Sequence, residues 1–170
     1  MEVLLQQIIN GLVLGSMYAL VALGYTMVYG IIGLINFAHG EILMVGAMTS
    51  WTIISLMKDA MPGGPGWLIL LLAVIIASIV AATLNYVVEK MAYRPLRNSP
   101  KLAPLITAMG MSLLLQTLAR IVWTPNPKPY PTLLPTEPIQ FAGAVITVTQ
   151  VLILGVTAIS LAILMYLVNH

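Results

Sequence analysis

Asn36-Phe37-Ala38-His39-Gly40-Glu41 is a short polar stretch inside an otherwise apolar sequence. Between Val3 and Leu56 the chain holds one acidic residue and one histidine, and both belong to this stretch. An ionisable side chain at membrane depth is costly unless it faces protein or a water-filled cavity. The stretch therefore predicts an interrupted membrane helix, the kind of backbone that membrane proteins use where they handle a polar solute.

The composition places the chain among membrane proteins. Hydrophobic residues make up 60% of it and charged residues 7%, and the mean hydropathy is +1.01. A soluble domain carries about 25% charged residues. With a net charge of +2, the basic residues are too few to predict a nucleic-acid surface. The sequence has no cysteine, which excludes disulfides, thiolate metal sites and cysteine catalysis.

The apolar runs predict an all-α fold, a polytopic transmembrane helical bundle in one domain over residues 1–170. A run of about 20 residues is enough to cross a bilayer, and about five such spans are present, with a broken or re-entrant segment near residues 25–41. The predicted spans are Val3–Leu23, Ile42–Met57, Trp67–Val88, Leu102–Trp123 and Val145–Val168.

Two segments between these spans are predicted to be non-helical or only partly helical. Tyr25–Ala38 is apolar but short and rich in glycine, so we expect a connection or a re-entrant piece. Thr124–Gln140 contains six prolines and is predicted to be an external loop with polyproline character.

The basic residues predict the topology. The segment 89–101 holds four of the seven basic residues, so by the positive-inside rule it is cytoplasmic and the N-terminus is outside. Within it, Arg94, Pro95 and Arg97 have two interpretations, a topology signal or a docking surface for a cytoplasmic partner.

Several glycines have a predicted structural role. Gly11 and Gly15 form a small-xxx-small pair that suits close helix contact in lipid. Gly33 and Gly46 flank the polar stretch and Gly40 lies within it, and these glycines favour an interrupted helix.

His39 and Glu41 have several possible roles: metal ligands, a proton relay, a solute contact, or structural groups at a helix break. Their side chains lie about 200° apart on a helix, and no second histidine follows at the spacing of a metalloprotease helix, so no metal site is predicted. In the structural interpretation Asn36, His39 and Glu41 cap or bridge the break, with Glu41 near the positive end of a new helix.

The fourth span carries three polar residues of interest, Thr107, Ser112 and Gln116. Such groups usually form interhelical hydrogen bonds worth about 1 kcal/mol or less. The alternative is that they line a translocation path.

Long motifs in the chain closely resemble the LivH-like membrane permeases of branched-chain amino acid ABC importers. The resemblance is strong from Gln7 to about Gln116 and looser beyond. Four motifs carry it: Asn10-Gly11 through Gly15-Ser16-Met17-Tyr18-Ala19-Leu20, then Gly24-Tyr25-Thr26-Met27-Val28-Tyr29-Gly30 continuing to Glu41, then Glu89 with Ala92-Tyr93-Arg94-Pro95-Leu96-Arg97, and Ile106-Thr107-Ala108-Met109-Gly110-Met111-Ser112 with Gln116.

The resemblance implies an importer in the bacterial inner membrane. Its partners would be a second permease subunit, ATP-binding subunits and a periplasmic amino-acid-binding protein. This chain has no Walker A pattern, so ATP hydrolysis is expected on a partner, and the chain itself is expected to be neither an enzyme nor a cofactor-binding protein. Asn36, His39 and Glu41 would then lie near the translocation path or its gate.

Members of this family continue beyond the point where this sequence stops, with a coupling helix and further spans. We therefore expect residues 1–170 to be the N-terminal part of a longer family domain. Residues 1–170 alone are expected to carry out no unassisted import. The alternatives are a truncated structural or regulatory membrane subunit, a urea or short-amide permease with a similar signature, and an ion-coupled carrier that uses His39 and Glu41 as a proton relay.

Overall fold

The computed structural model describes residues 2–33, 36–100, 102–133, 138–141 and 144–169. Within these ranges it has five helices long and apolar enough to cross a membrane, which confirms the all-α polytopic class. They are α1 (Glu2–Ile32), α2 (His39–Ala60), α3 (Gly66–Val88), α4 (Leu102–Trp123) and α5 (Val148–Asn169).

A short antiparallel hairpin precedes α5. Its strands are β1 (Pro138–Phe141) and β2 (Ala144–Thr147), in a register that pairs Pro138 with Thr147 and Phe141 with Ala144. These strands correct two predictions, because the proline-rich loop was expected to reach Gln140 and the fifth span to begin at Val145.

A capping box sets the start of α5. The backbone N–H of Gln150 donates to Thr147 Oγ1 at 3.3 Å, and that of Thr147 donates to Gln150 Oε1 at 3.1 Å. This reciprocal pair satisfies N–H groups that the first turn of a helix leaves without partners. The helix therefore begins at Val148, after the cap, rather than at the first apolar residue of the run.

The chain divides into two compact units. The terminal unit comprises the residues up to Thr26 and those from residue 134 onward, and the central unit comprises residues 27–133. In the terminal unit, Gln6 binds the edge of β2: it accepts from the N–H of Val145 at 2.8 Å and donates to the carbonyl oxygen of Val145 at 3.1 Å.

The first helix is longer than predicted. It continues through Gly24 and Gly30 to Ile32, where a connection from Tyr25 was expected. A glycine inside a helix costs about 1 kcal/mol relative to alanine, which is less than the cost of an unsatisfied backbone group in lipid. The helix ends just before Gly33, which has the left-handed φ of 69° that commonly ends helices. Leu34 and Ile35 lie outside the described residues.

The predicted loop 89–101 is also partly helical. A π-helical turn (Glu89–Tyr93) and a 3₁₀ turn (Arg94–Leu96) extend α3, so the loop proper is shorter than predicted. The fourth basic residue of the predicted loop, Lys101, lies outside the described residues.

Helices α2 and α3 pack closely in the central unit. A Cβ added at Gly46 would lie 3.6 Å from the Cβ of Ala81, an ordinary van der Waals contact, so α3 lies directly against this position. Two apolar clusters hold the central unit together. One contains Ala38, Ile42, Val88, Ala92, Tyr93, Ala108 and Leu115, and the other contains Ile54, Ile69 and Ala73.

Candidate functional site

Glu41 lies in the first turn of α2 and accepts two hydrogen bonds from α4. Ser112 Oγ is 2.6 Å and Gln116 Nε2 is 2.7 Å from the same carboxylate oxygen, Oε1. The two donors are four residues apart and so lie on one face of α4. The fold therefore brings together three of the six predicted path residues, which the sequence placed on two separate spans.

The contact lies at mid-height of α4. Ser112 is about 15 Å along the helix from Leu102 and about 16 Å before Trp123, at about 1.5 Å per residue. The first turn of α2 thus meets the middle of a membrane-length helix. Its backbone N–H groups have a positive partial charge, which favours a carboxylate there.

The second carboxylate oxygen of Glu41 remains accessible. Oε2 makes no hydrogen bond in the described part of the chain. Every buried side-chain nitrogen or oxygen among the described residues has a partner, so Oε2, on a half-buried residue, is not a buried atom. One oxygen therefore joins α2 to α4, and the other has no hydrogen-bond partner among the described residues.

Asn36 has a structural environment. It is buried, and its Oδ1 accepts hydrogen bonds from Tyr93 Oη at 2.7 Å and from the N–H of Ala38 at 3.0 Å. These bonds hold the turn before α2 against the π-helical turn that follows α3. The side chain thus joins the turn before α2 to the end of α3, and its role in bridging a helix break stays a prediction.

His39 and Thr107 lie apart from the Glu41 contact. Half-buried His39 lines a separate groove of about 450 Å³ between α2 and α3. Thr107 is half-buried on α4, and among the described contacts it makes no hydrogen bond to Glu41, Ser112 or Gln116. Across the described ranges, no three His, Asp or Glu side chains come close enough together to hold a metal ion.

The other predicted positions are placed as follows. A Cβ at Gly11 or Gly15 would meet nothing within 4 Å, so no described element packs on them, and their role in helix contact stays a prediction. Gly40 lies in the first turn of α2. Arg94, Pro95 and Arg97 are exposed, and Arg97 forms a loose ion pair of 3.7 Å with Glu89.

A cavity of about 740 Å³ extends from Glu41 and Gln116 to the segment that follows α4. Pockets of about 300–1,000 Å³ are typical of small-molecule sites. Its wall is mostly apolar and aromatic, with two cations near the end of α4 and beyond it. The lining includes Met44, Met48, Trp51, Ala119, Arg120, Trp123, Lys128 and Tyr130.

The segment 124–133 lies along the C-terminal half of α2 and closes one side of this cavity. Trp51 Nε1 donates to the carbonyl oxygen of Pro129 at 3.0 Å, and Lys58 Nζ donates to that of Thr132 at 3.0 Å. Lys128 Nζ lies 4.7 Å from the centroid of the Trp51 ring. The proline-rich segment is non-helical as predicted, but it is docked on α2 by side-chain contacts.

These contacts involve residues that the sequence analysis missed. Trp51, Trp123 and Tyr130 resemble ordinary residues at the membrane interface, and Arg120 and Lys128 are isolated charges. Lys128 and Tyr130 share a signal of position, since they follow the span that carries Ser112 and Gln116. The wall residues on α2 and α4, such as Trp51 and Arg120, have no such signal in the sequence.

Comparison with known proteins matches residues 7–170 to the family described as branched-chain amino acid transport system / permease component. The chain belongs to this permease family. With five membrane-length helices, this permease-family chain is a multi-pass membrane protein.

Two kinds of curated relative are similar to the permease-family chain. It is 47% identical over 158 residues to the high-affinity branched-chain amino acid transport system permease protein BraD of Pseudomonas aeruginosa, which covers 90% of the chain and 51% of BraD. It is 51% identical over 112 residues to the corresponding protein LivH of Escherichia coli K12, which covers 66% of the chain and 36% of LivH. The chain thus spans about half the length of BraD and about a third of the length of LivH. No solved structure matches it.

Proposed function

We propose that this chain is a permease subunit of an ABC importer that moves branched-chain or related amino acids across the bacterial inner membrane. The observation that carries the proposal is Glu41, held at mid-height of α4 by Ser112 and Gln116 with its second oxygen accessible. A carboxylate held in a broken-helix region and exposed to a large cavity has the position of a solute contact in a membrane protein. Membership in the permease family supports the same function.

In this proposal the predicted path residues have different roles. Glu41, Ser112 and Gln116 line or support the translocation path, and Asn36 holds the broken segment in shape. His39 lines the separate groove between α2 and α3, and Thr107 lies on α4 apart from the carboxylate contact.

The partners follow from the kind of importer. They are a second permease subunit, ATP-binding subunits that hydrolyse ATP, and a periplasmic amino-acid-binding protein. The positive-inside rule puts the exposed Arg94 and Arg97 in the cytoplasm. The N-terminus and the segment 124–133 then lie outside, so the cavity at the end of α4 is on the periplasmic side.

Glu41→Gln in the complete transporter tests the proposal. Glutamine keeps an oxygen that accepts from Ser112 and Gln116 but has no charge, so we expect radiolabelled leucine uptake to fall by about tenfold or more, since a charge-assisted hydrogen bond is worth about 1.5–3 kcal/mol. Glu89→Gln is the matched control, because among the described residues that carboxylate forms the loose ion pair with Arg97 and does not line the cavity. Unchanged uptake at equal membrane abundance of the Glu41 variant would refute the role of Glu41.

Competition identifies the substrate branch. Excess isoleucine or valine is expected to reduce leucine uptake strongly, because the cavity wall is mostly apolar. Uptake of labelled urea or acetamide, with leucine without effect, would instead support the short-amide alternative.

A further inference from the structure

The cavity beside Glu41 combines one acidic side chain with two basic ones. Glu41 is the acidic residue of the described lining, and Arg120 and Lys128 are its cations. Although Glu41 and Arg120 share the cavity, no ion pair joins them among the described residues. Opposite charges are therefore present in one cavity without neutralising each other by direct contact.

Arg120 is the cation nearer to the carboxylate along α4. It lies one turn after Gln116, whose amide binds Glu41, and residues four apart on a helix are neighbours on its surface. Lys128 lies against the ring of Trp51 instead. Glu41 and Arg120 thus line the same cavity, and Arg120 is one helical turn from the residue that binds the Glu41 carboxylate.

Apolar side chains surround this charged pair. Met44 and Met48 follow Glu41 on α2 by three and seven residues, so they continue its face of the helix, and Trp51 continues the same row. Methionine side chains adapt to ligands of irregular shape. The wall next to the two charges is therefore suited to a small apolar group.

We infer that this cavity binds a small zwitterion with an apolar side chain, its ammonium group on Glu41 Oε2 and its carboxylate on Arg120. The two charges of an α-amino acid are close together, as this arrangement requires, and the side chain lies against Met44, Met48 and Trp51. The inference rests on the proposed function for the choice of leucine as the probe. It adds a binding site within this chain and an orientation for the ligand.

The test compares three ligands that differ in one charge each. Leucine has both charges, leucinamide lacks the carboxylate, and 4-methylpentanoate lacks the ammonium group. The complete permease that contains this sequence, purified in lipid nanodiscs with the second permease subunit and the ATP-binding subunits but without the amino-acid-binding protein, is titrated with each ligand by calorimetry. Glu41→Gln and Arg120→Gln are the test variants, and Glu89→Gln and Arg97→Gln are their matched controls outside the cavity.

The expected result is a crossed pattern. Glu41→Gln weakens leucine and leucinamide binding by about tenfold or more and leaves 4-methylpentanoate unchanged. Arg120→Gln weakens leucine and 4-methylpentanoate and leaves leucinamide unchanged. A purely structural role would move all three affinities together, so equal effects on the three ligands would overturn the inference, as would a lack of saturable leucine binding at millimolar concentration.

A second variant and a parallel uptake measurement keep the result decisive. Arg120 is exposed, so Arg120→Gln remains informative if the Glu41 variant does not assemble. Leucine uptake by the wild-type transporter is measured in parallel. Absence of uptake would refute the proposed function, whereas uptake without the crossed binding pattern would refute only the site inferred here.

Discussion

Tyr93 Oη donates a hydrogen bond to Asn36 Oδ1 over 2.7 Å, and both residues are buried. This contact joins the break before α2 to the π-helical turn that extends α3. Since the same Asn36 oxygen also accepts from the N–H of Ala38, one side chain fixes both the local turn and its neighbour. The position of the first turn of α2, which carries Glu41, therefore depends on the hydrogen bonds of Asn36.

Tyr93→Phe is expected to destabilise the protein by about 1 kcal/mol, the net value of one hydrogen bond. Asn36→Ala should cost more, because it leaves both the Tyr93 hydroxyl and the Ala38 N–H without their partner. Thermal unfolding in detergent measures both effects. Tyr86→Phe, at an exposed tyrosine, is the control; equal melting temperatures for all three variants and the wild type would show that the contact does not support the fold.

Ser112→Ala and Gln116→Leu are expected to be coupled through Glu41. Each removes one donor to the same oxygen, and a hydrogen bond to a charged group is worth about 1.5–3 kcal/mol, less here because Glu41 is only half-buried. A double-mutant cycle with Glu41→Gln, read by thermal unfolding, measures the coupling. Thr117→Ala is the control on the same helix, since its hydroxyl donates to the carbonyl oxygen of Leu113; strictly additive effects would argue against a shared contact.

Gly66→Ala is expected to displace the segment 124–133 from α2. A Cβ at this position would overlap the carbonyl oxygen of Leu133, which is backbone and cannot rotate away. The measurement is limited proteolysis with a nonspecific protease such as proteinase K, whose cleavage within residues 124–133 should accelerate as the segment loosens. Gly110→Ala is the matched control, because a Cβ there meets nothing within 4 Å; equal cleavage rates in the two variants would contradict this packing.

Single cysteines test the proposed topology, because residues 1–170 contain no cysteine. Asn126→Cys and Arg97→Cys are both at exposed positions. In intact cells stripped of the outer membrane, a membrane-impermeant maleimide should label the cysteine at 126 and reach the one at 97 only after the inner membrane is opened. Labelling in the reverse order would invert the topology.

The five helices and their class could be predicted from hydropathy, because a membrane-length apolar run has few alternatives to a helix. The bounds of α4 agree with the prediction at both ends. The end of α1 does not, since glycine content alone does not reveal that satisfied backbone hydrogen bonds outweigh the glycine penalty. The start of α5 was missed because the Thr147 and Gln150 cap is a local contact that hydropathy does not report.

For the candidate site, the unusual groups could be predicted from the sequence. They are an ionisable pair in a broken apolar segment and the polar residues on a later span. The sequence also determined the family, since long motifs persist in order along it. Only the tertiary structure decided their partners. It placed Glu41 on Ser112 and Gln116, Asn36 on Tyr93, and His39 in a different groove. The physical reason is that depth and rotation of one helix against another arise from packing, such as the approach at Gly46, and packing is not encoded in the period of a single helix.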